Sequence, residues 1–297
     1  MDFAVMGCMV FFLVLSAAFS GRIPSGTEPA IRFATILVCY MAAVRILDRS
    51  PSPFGLRMFI RAVFLYVAFP FAFMALGHVI EFINPFRAEA ALMEIDRLMF
   101  FGANPNAVLQ DFLNPFVVEG LQIVYALYYP LFMLGFIFLF RRRYSEFMAY
   151  LTGIACLFWL QFIGYTLVPA RSPYIIADLP EYAARIGLHT RVEGLWLTDL
   201  IRHSIHSVEG LKFDCFPSGH TAGAIYVTLS MFAFSRRWGI AVAPWCAALV
   251  FSTVYLQYHY VIDLFAGAAL GVGAFYLGRA LTRRYPLHIP ADLGGAR

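Results

Sequence analysis

The chain has little charge for its length. Of its 297 residues, 13% are Asp, Glu, Lys or Arg, whereas soluble domains carry about 25%. Lys212 is the only lysine, and the arginines are spread over several loops rather than massed in one patch, so nucleic-acid binding is not indicated. Hydrophobic residues make up 61% of the chain, and the mean hydropathy is +0.72. This composition excludes an ordinary soluble domain and indicates an integral membrane protein.

The chain also lacks a disulfide framework, although it has five cysteines. Four of them fall inside apolar runs, where thiols pack as small hydrophobic groups: Cys8, Cys39, Cys156 and Cys246. Cys215 lies alone in a predicted loop, so a structural disulfide is not expected there. We interpret Cys215 as a packing residue, with a reactive thiol as the less favoured alternative.

Eight apolar runs are long enough to cross about 30 Å of hydrocarbon as helices. Lipid offers backbone groups no hydrogen-bond partner, so the spanning segments must be helical. The chain is therefore predicted to be an all-α, polytopic membrane helix bundle with about eight transmembrane helices. The predicted spans are 3–20, 30–47, 59–80, 116–140, 147–169, 218–235, 239–258 and 260–280.

The positions of the arginines predict the orientation of these spans. With eight spans, four arginine-containing segments fall on one side, which is cytoplasmic by the positive-inside rule: 45–61, 141–143, 236–237 and 279–284. Arg171, His220, His259 and Asp263 then lie together at the opposite, extracytoplasmic side. The expected location is a multi-pass position in a bacterial inner membrane, with these four residues at one depth.

Segment 86–112, also on that side, has amphipathic character. Ala91, Ile95, Leu98 and Met99 can share one helical face, whereas Glu94, Asp96 and Arg97 are polar. A helix lying in the outer membrane interface and an ordinary solvated connection are equally favoured interpretations.

His259 and Asp263 are four residues apart, which places them one turn apart on one face of a helix. The carboxylate can accept a hydrogen bond from one imidazole nitrogen and leave the other free as a nucleophile or base. The same spacing suits a metal ligand pair, and a buried pair that merely bonds to neighbouring helices is the ordinary alternative.

The Pro-Ser-Gly-His motif at 217–220 predicts the start of a helix with open backbone N–H groups, which is suited to an anion. His220 can protonate a leaving oxygen there. The alternative is a capped helix start whose histidine faces a lipid headgroup.

Together these motifs resemble the type-2 phosphatidic acid phosphatase superfamily. Its second signature is Pro-Ser-Gly-His, and its third ends in His-x-x-x-Asp. The surrounding residues at 216–221 and 252–263, followed by Gly267, are similar to the branch that includes inositol-phosphorylceramide synthases and related bacterial enzymes. The resemblance covers roughly 116–282. It implies a six-helix phosphatase-like core.

The resemblance assigns roles to the matching residues. His259 would take the phosphoryl group as a phosphohistidine, and Asp263 would orient it. His220 would protonate the departing alkoxide or phosphate, and Ser218 and Gly219 would line the phosphate pocket. The family mechanism requires no metal, and no other cofactor is implied.

The match departs from the family at two phosphate-binding cations. The first signature is Lys, six residues, Arg-Pro; Arg171 is the counterpart of its arginine and a plausible phosphate clamp, but Gly164 stands at the lysine position. Thr253 stands where the third signature has arginine. Three residues are candidate replacements: Arg202, Lys212 and Gln257. These departures favour the phosphotransferase branch over a plain phosphatase.

The expected organisation is one membrane domain. Residues 1–80 would be accessory spans, 81–115 an extracytoplasmic interfacial segment and 116–285 the catalytic core. The expected function is cleavage of a lipid phosphoester or pyrophosphate, with a phospholipid or isoprenoid phosphate as substrate and water, an alcohol or a lipid as acceptor. The alternatives are a non-catalytic transporter or lipid-binding protein that keeps the pocket, and a metal site shared by His220, His259 and Asp263.

Two further groups are given structural interpretations. Asp199, His203 and His206 form a polar loop cluster, which is more often solvated than metal-binding. Gly267 and Gly271 have the spacing of small residues at a close helix–helix contact. The tyrosines of the fourth span are expected to pack the bundle or lie at an interface: Tyr125, Tyr128 and Tyr129.

Overall fold

The computed structural model describes residues 1–188, 192–209 and 213–286. It is 78% helical, and within these ranges a single parallel bridge, between Ala170 and Asp214, is the only β pairing. The α-helices in these ranges are, in chain order, α1 (Asp2–Ala18), α2 (Glu28–Arg49), α3 (Phe54–Gly77), α4 (Ile80–Ile83), α5 (Glu89–Met99), α6 (Pro105–Gln110), α7 (Pro115–Ala126), α8 (Tyr128–Leu131), α9 (Phe136–Phe140), α10 (Tyr144–Leu167), α11 (Pro173–Ile176), α12 (Pro180–Ile186), α13 (Leu197–Glu209), α14 (Gly219–Phe234), α15 (Arg236–Tyr255) and α16 (Val261–Arg284).

Among the described residues, five helices are long and apolar enough to cross a membrane: α2, α3, α10, α15 and α16. Two further apolar helical segments, Pro115–Ala126 and Tyr128–Phe140, are bent by 48° at their junction and make a sixth span if they are counted as one. This confirms an all-α, polytopic membrane bundle. Each predicted run coincides with a helix or with this bent pair. Helices α1 and α14 have only 17 and 16 residues, so membrane crossing by these two stays a prediction.

Helix α10 lies at the centre of the bundle, with 72% of its apolar window buried, against 28% to 44% for the other spans. Close helix contacts there depend on glycine. A Cβ atom on Gly278 of α16 would lie 2.6 Å from the Cα atom of Gly153 in α10. Cβ atoms on Gly267 and Gly271 would each lie 2.4 Å from a backbone oxygen of α14. The predicted close packing at Gly267 and Gly271 is confirmed.

Several arginines come together at one end of the bundle. Arg61 in α3 forms ion pairs with Asp2 in α1 and with Asp48 in α2. Arg143, just before α10, donates a hydrogen bond to the carbonyl of Phe234 at the end of α14 and lies over its ring. The last residue of α14 therefore lies at the same end of the bundle as the start of α10 and the junction of α2 and α3. His220 begins α14 and lies at the opposite end.

Helix α5 packs on that opposite end of the bundle. Its buried residues are Glu89, Leu92, Met93 and Asp96. The predicted apolar face is outward, since Ile95 and Leu98 are 39% and 73% exposed. Asp96, one of the polar residues of this segment, is buried, and its carboxylate accepts hydrogen bonds from backbone N–H groups of α16.

Candidate active site

A cavity of about 500 Å³ lies at the end of the bundle where α14 begins. Its polar wall includes four residues that the sequence singled out: Arg171, Gly219, His220 and His259. The opposite wall is apolar and comes from α3 and α10, through Phe69, Pro70, Phe73 and Phe158. Tyrosines complete the lining: Tyr125, Tyr128, Tyr129, Tyr165, Tyr174 and Tyr258. Residues distant in sequence thus meet around one space with a polar and an apolar part.

His259 is held by Asp263 as the spacing predicts. Its Nδ1 atom lies 3.2 Å from Oδ2 of Asp263, and the backbone N–H of Tyr260 donates to the same oxygen at 2.9 Å. His259 is 5% exposed and lines the cavity, whereas Asp263 is fully buried behind it. With Nδ1 engaged, Nε2 is the ring nitrogen left for chemistry in the cavity.

Cys215 lies against this pair, which the sequence analysis did not predict. Its Sγ atom donates to Oδ2 of Asp263 at 3.0 Å and lies 3.7 Å from Nδ1 of His259. Burial raises the pKa of the Cys215 thiol, and the negative charge of Asp263 adds to this effect, so the sulfur is a protonated donor. Cys215 does pack among buried apolar residues, as predicted, and its thiol is in addition a hydrogen-bond partner of the site. Its loop position just before the Pro-Ser-Gly-His motif was the only sequence signal.

The ring of His220 is fixed by two tyrosines. It stacks on Tyr125 with ring centres 3.9 Å apart and an interplanar angle of 21°, and its centre lies 4.2 Å from that of Tyr128. The centres of the His220 and His259 rings are 6.2 Å apart. The predicted packing role of Tyr125 and Tyr128 thus includes holding one of the two site histidines.

Ser218 and Gly219 differ in their relation to the cavity. Ser218 is fully buried and is not part of the cavity wall. Its hydroxyl oxygen accepts from the N–H of Thr221 at 3.3 Å and caps α14. Gly219 does line the cavity, and a Cβ atom there would lie 2.7 Å from the hydroxyl of Tyr165. Ser218 thus caps α14, and its predicted place in a phosphate pocket stays a prediction.

Arg171 reaches the cavity from the loop after α10 and is anchored by Glu89 of α5. Its Nε and its backbone N–H both donate to Oε1 of Glu89, at 2.7 Å and 3.1 Å. Glu89 is fully buried and Arg171 is 18% exposed. The guanidinium group is also hydrogen-bonded to Tyr182, and it lines the cavity, where it can contribute to binding an anion.

Asp96 of α5 holds the start of α16, directly after His259. Its two carboxylate oxygens accept from the backbone N–H groups of Val261 and Ile262 at 2.7 Å and 2.9 Å. Burial raises the pKa of Asp96 to about 6, although these two hydrogen bonds act in the opposite direction. Glu89 and Asp96 were both missed as site residues, since nothing in their spacing points to partners so far along the chain.

The sequence model of the PAP2 superfamily matches residues 90–277. The chain belongs to the PAP2 superfamily. A PA-phosphatase related-family protein from Dictyostelium discoideum is 28% identical over 117 residues, which cover 37% of this chain but only 20% of that relative. The chain therefore matches about a fifth of the length of this curated relative. No solved structure matches the chain.

This PAP2 superfamily member has no space for the family's signature lysine. A Cβ atom on Gly164 would lie 2.4 Å from Cδ of Pro217, so any longer side chain there would displace the Pro-Ser-Gly-His segment. Thr253, at the position of the missing arginine, is fully buried, and its hydroxyl donates to the carbonyl of Val250 at 2.7 Å. Both positions serve packing in this chain.

Two of the three candidate replacements do not line the cavity. Arg202 and Gln257 are absent from the cavity wall, and Arg202 donates to the carbonyl of Val192 at 2.8 Å. Lys212 lies outside the described residues. Asp199 and His203 lie in α13 rather than in the predicted loop. The side chain of His206 also lies outside the described residues, so the solvated interpretation of this cluster stays a prediction.

Acidic groups are present in the cavity instead. Asp178 and Asp214 both line it. Burial raises the pKa of Asp214 to about 6, while the charge of His259 acts to lower it. In the described part of the wall, Arg171 is the one arginine or lysine. The described part of the site therefore combines one permanent cation with two carboxyl groups.

Proposed function

We propose that this PAP2 superfamily member is a membrane lipid phosphatase or phosphotransferase that works through a phosphohistidine at His259. One observation carries this proposal: His259 is oriented by Asp263 through Nδ1 at 3.2 Å and faces His220 across a cavity that Arg171 also lines. The roles of the individual residues below belong to the proposal.

In the first step, Nε2 of His259 attacks the substrate phosphorus and forms an N–P bond, while the bond from phosphorus to the leaving oxygen breaks. His220 gives its proton to that oxygen. Asp263 stabilises the positive charge that develops on the His259 ring. The guanidinium group of Arg171, held in place through Glu89, binds the non-bridging phosphate oxygens.

In the second step, the deprotonated His220 takes a proton from water or from an alcohol, and the resulting oxygen attacks phosphorus. The N–P bond breaks and His259 returns to its first state. Gly219 and His220 stand at the first turn of α14, where backbone N–H groups have no intrahelical acceptor and can bind phosphate oxygens. Water gives a phosphatase, and an alcohol or lipid acceptor gives a transferase.

The two parts of the cavity support a lipid substrate. Phe69, Phe73 and Phe158 offer an apolar surface for a lipid chain next to the polar site. The charges of the described cavity wall favour a phosphodiester headgroup, because Arg171 together with Asp178 and Asp214 suits a single negative charge better than the nearly two charges of a phosphomonoester. A phospholipid diester donor with an alcohol acceptor is the reaction type of the inositol-phosphorylceramide synthase-like branch.

The proposed face of the membrane is extracytoplasmic. The arginine-rich end of the bundle lies opposite the cavity, and clustered arginines favour the cytoplasmic side. A water-soluble, membrane-impermeant substrate should therefore be turned over by intact cells, and turnover only after permeabilisation would place the site on the other face.

The function is tested with purified protein in detergent against phosphatidate, isoprenyl pyrophosphate and phosphatidylinositol, each with and without an alcohol acceptor. We expect headgroup transfer or phosphate release that persists in the presence of chelator. His259→Ala should abolish it, and His220→Ala should reduce it roughly 10²- to 10⁴-fold, the usual contribution of a general acid. His78→Ala is the matched control, since His78 is exposed and outside the cavity wall.

A labelled phosphoryl group bound to the wild-type protein should be acid-labile and base-stable, as a phosphohistidine is. Full activity of His259→Ala would refute the mechanism. Saturable lipid binding without turnover of any of the three donors would favour the non-catalytic alternative.

A further inference from the structure

Cys215, His259 and Asp263 bring three different metal-binding atoms to one point. Sγ of Cys215, Nδ1 of His259 and Oδ2 of Asp263 all lie within 4.8 Å of one another. Their separations are 3.0 Å for Sγ–Oδ2, 3.2 Å for Nδ1–Oδ2 and 3.7 Å for Sγ–Nδ1. Usual zinc–ligand bond lengths in a tetrahedral site place such atoms about 3.3 to 3.6 Å apart. The ligand triangle is thus close to the required size without a change of backbone.

The chemistry of the three atoms selects the kind of metal. A thiolate, an imidazole and a carboxylate together suit Zn²⁺ and its softer relative Cd²⁺, whereas Mg²⁺ and Ca²⁺ prefer oxygen ligands alone. A thiolate and a carboxylate carry two negative charges, which neutralise a divalent ion in this buried place. Three protein ligands leave the fourth tetrahedral position open.

The cavity supplies a route to this site. Cys215 and His259 are both part of the cavity wall, while Asp263 lies behind them. A metal ion arriving through the cavity meets residues Cys215 and His259 first. Water or an oxygen of a bound phosphate can fill the open fourth position.

We propose that Cys215, His259 and Asp263 form a binding site for a soft divalent metal ion of the Zn²⁺ or Cd²⁺ type, and that an ion bound there blocks the enzyme. On binding, the Cys215 thiol releases its proton to solvent and a metal–sulfur bond forms. The metal takes the lone pair of Nδ1, so the remaining ring proton resides on Nε2. That nitrogen then has no lone pair for attack on phosphorus.

Binding is independent of the proposed function, whereas the inhibition rests on it. The test therefore reads binding directly, through the ultraviolet charge-transfer absorption of a cadmium–thiolate bond. Purified protein in detergent, stripped with chelator, is titrated with Cd²⁺. Cys39 is exposed and could bind Cd²⁺ itself, so it is first replaced in a Cys39→Ser variant. The cysteines that remain besides Cys215 are all buried: Cys8, Cys156 and Cys246.

Cys39→Ser should show the absorption band with one Cd²⁺ per chain. The band should be absent when Cys215→Ser is added, and Asp263→Asn in the same Cys39→Ser background should weaken Cd²⁺ binding roughly tenfold or more. A band that persists without Cys215, or no band in Cys39→Ser, would overturn the site. Unfolding temperatures of all variants show whether a lost band reflects a lost fold.

Activity gives the second readout. Cd²⁺ or Zn²⁺ should inhibit Cys39→Ser, chelator should restore its activity, and Cys215→Ser should need roughly tenfold more Cd²⁺ or Zn²⁺ for the same inhibition. Stoichiometric zinc in the purified protein together with loss of activity on its removal would overturn the inhibitory role. If none of the three donors is turned over, the proposed function fails, while the absorption titration still decides the metal site.

Discussion

Replacing Gly267 by alanine should separate α14, which carries His220, from α16, which carries Asp263. A Cβ atom at this position would lie 2.4 Å from the carbonyl oxygen of Ser218 and 3.1 Å from Cβ of Thr221. The first contact is to backbone at the start of α14, so no side-chain rotation can relieve it. The helices themselves must move apart.

The size of the movement follows from the contact distance. Ordinary van der Waals contact begins at 3.4 Å, so the new methyl group is about 1 Å too close. Overpacking of this kind costs about 1–3 kcal/mol. A displacement of about 1 Å between catalytic groups can lower turnover about 100-fold, and here it moves His220 on α14 relative to Asp263 on α16.

The matched control is Gly273→Ala in the same helix. Gly273 has nothing within 4 Å of its built Cβ position, so alanine should leave turnover unchanged and either leave stability unchanged or improve it slightly. Turnover and unfolding temperature are measured for both variants in one detergent. We expect Gly267→Ala to lose roughly 2 to 10 °C and about 100-fold in turnover. If both variants behave alike, the close contact of α14 and α16 is not what aligns the site.

Two further predictions concern α5. Glu89→Gln should raise KM or lower kcat/KM about tenfold, since Arg171 loses a charge-assisted hydrogen bond; the exposed Glu94→Gln on the same helix is its control, and an equal effect of both would contradict this role. For Asp96, the pKa of about 6 in the folded chain lies above the ordinary 3.8, so the folded state keeps a proton that the unfolded state has lost. Its contribution to stability should therefore fall as pH rises from about 4 to 6. The unfolding temperature of the wild type minus that of Asp96→Asn should decrease over this pH range. An increase of this difference would contradict a raised pKa for Asp96.

Much of the fold was predictable because membrane helices are a local property. Every predicted span coincides with a helix or with the bent pair formed by Pro115–Ala126 and Tyr128–Phe140. The pairing of His259 with Asp263 was predicted from their separation of four residues, but its geometry differs from the prediction. His259 lies just before α16 rather than on it, and Asp263 in the first turn of α16 also accepts from the N–H of Tyr260. The packing of Gly267 and Gly271 follows from helical periodicity.

Which face of α5 is buried against the bundle was not predictable in the same way. Its apolar periodicity indicates which residues share a face, but not whether that face turns toward the bundle or toward lipid. In water an apolar face must be buried, whereas in a membrane both environments are apolar. Here the polar residues decided which face of α5 is buried. Glu89 accepts a hydrogen bond from Arg171, and Asp96 accepts one from a backbone N–H at the start of α16.

The sequence alone determined that this is a membrane helix bundle and that Pro-Ser-Gly-His and His-x-x-x-Asp begin helices on one side of it. Hydropathy and short spacings decide both, because they depend only on neighbouring residues. The tertiary structure alone decided that Cys215 joins His259 and Asp263, and that Glu89 anchors Arg171. It also decided that Gly164 leaves no space for a lysine. These partners come from separate segments, and only the packing of the bundle sets which buried polar groups meet.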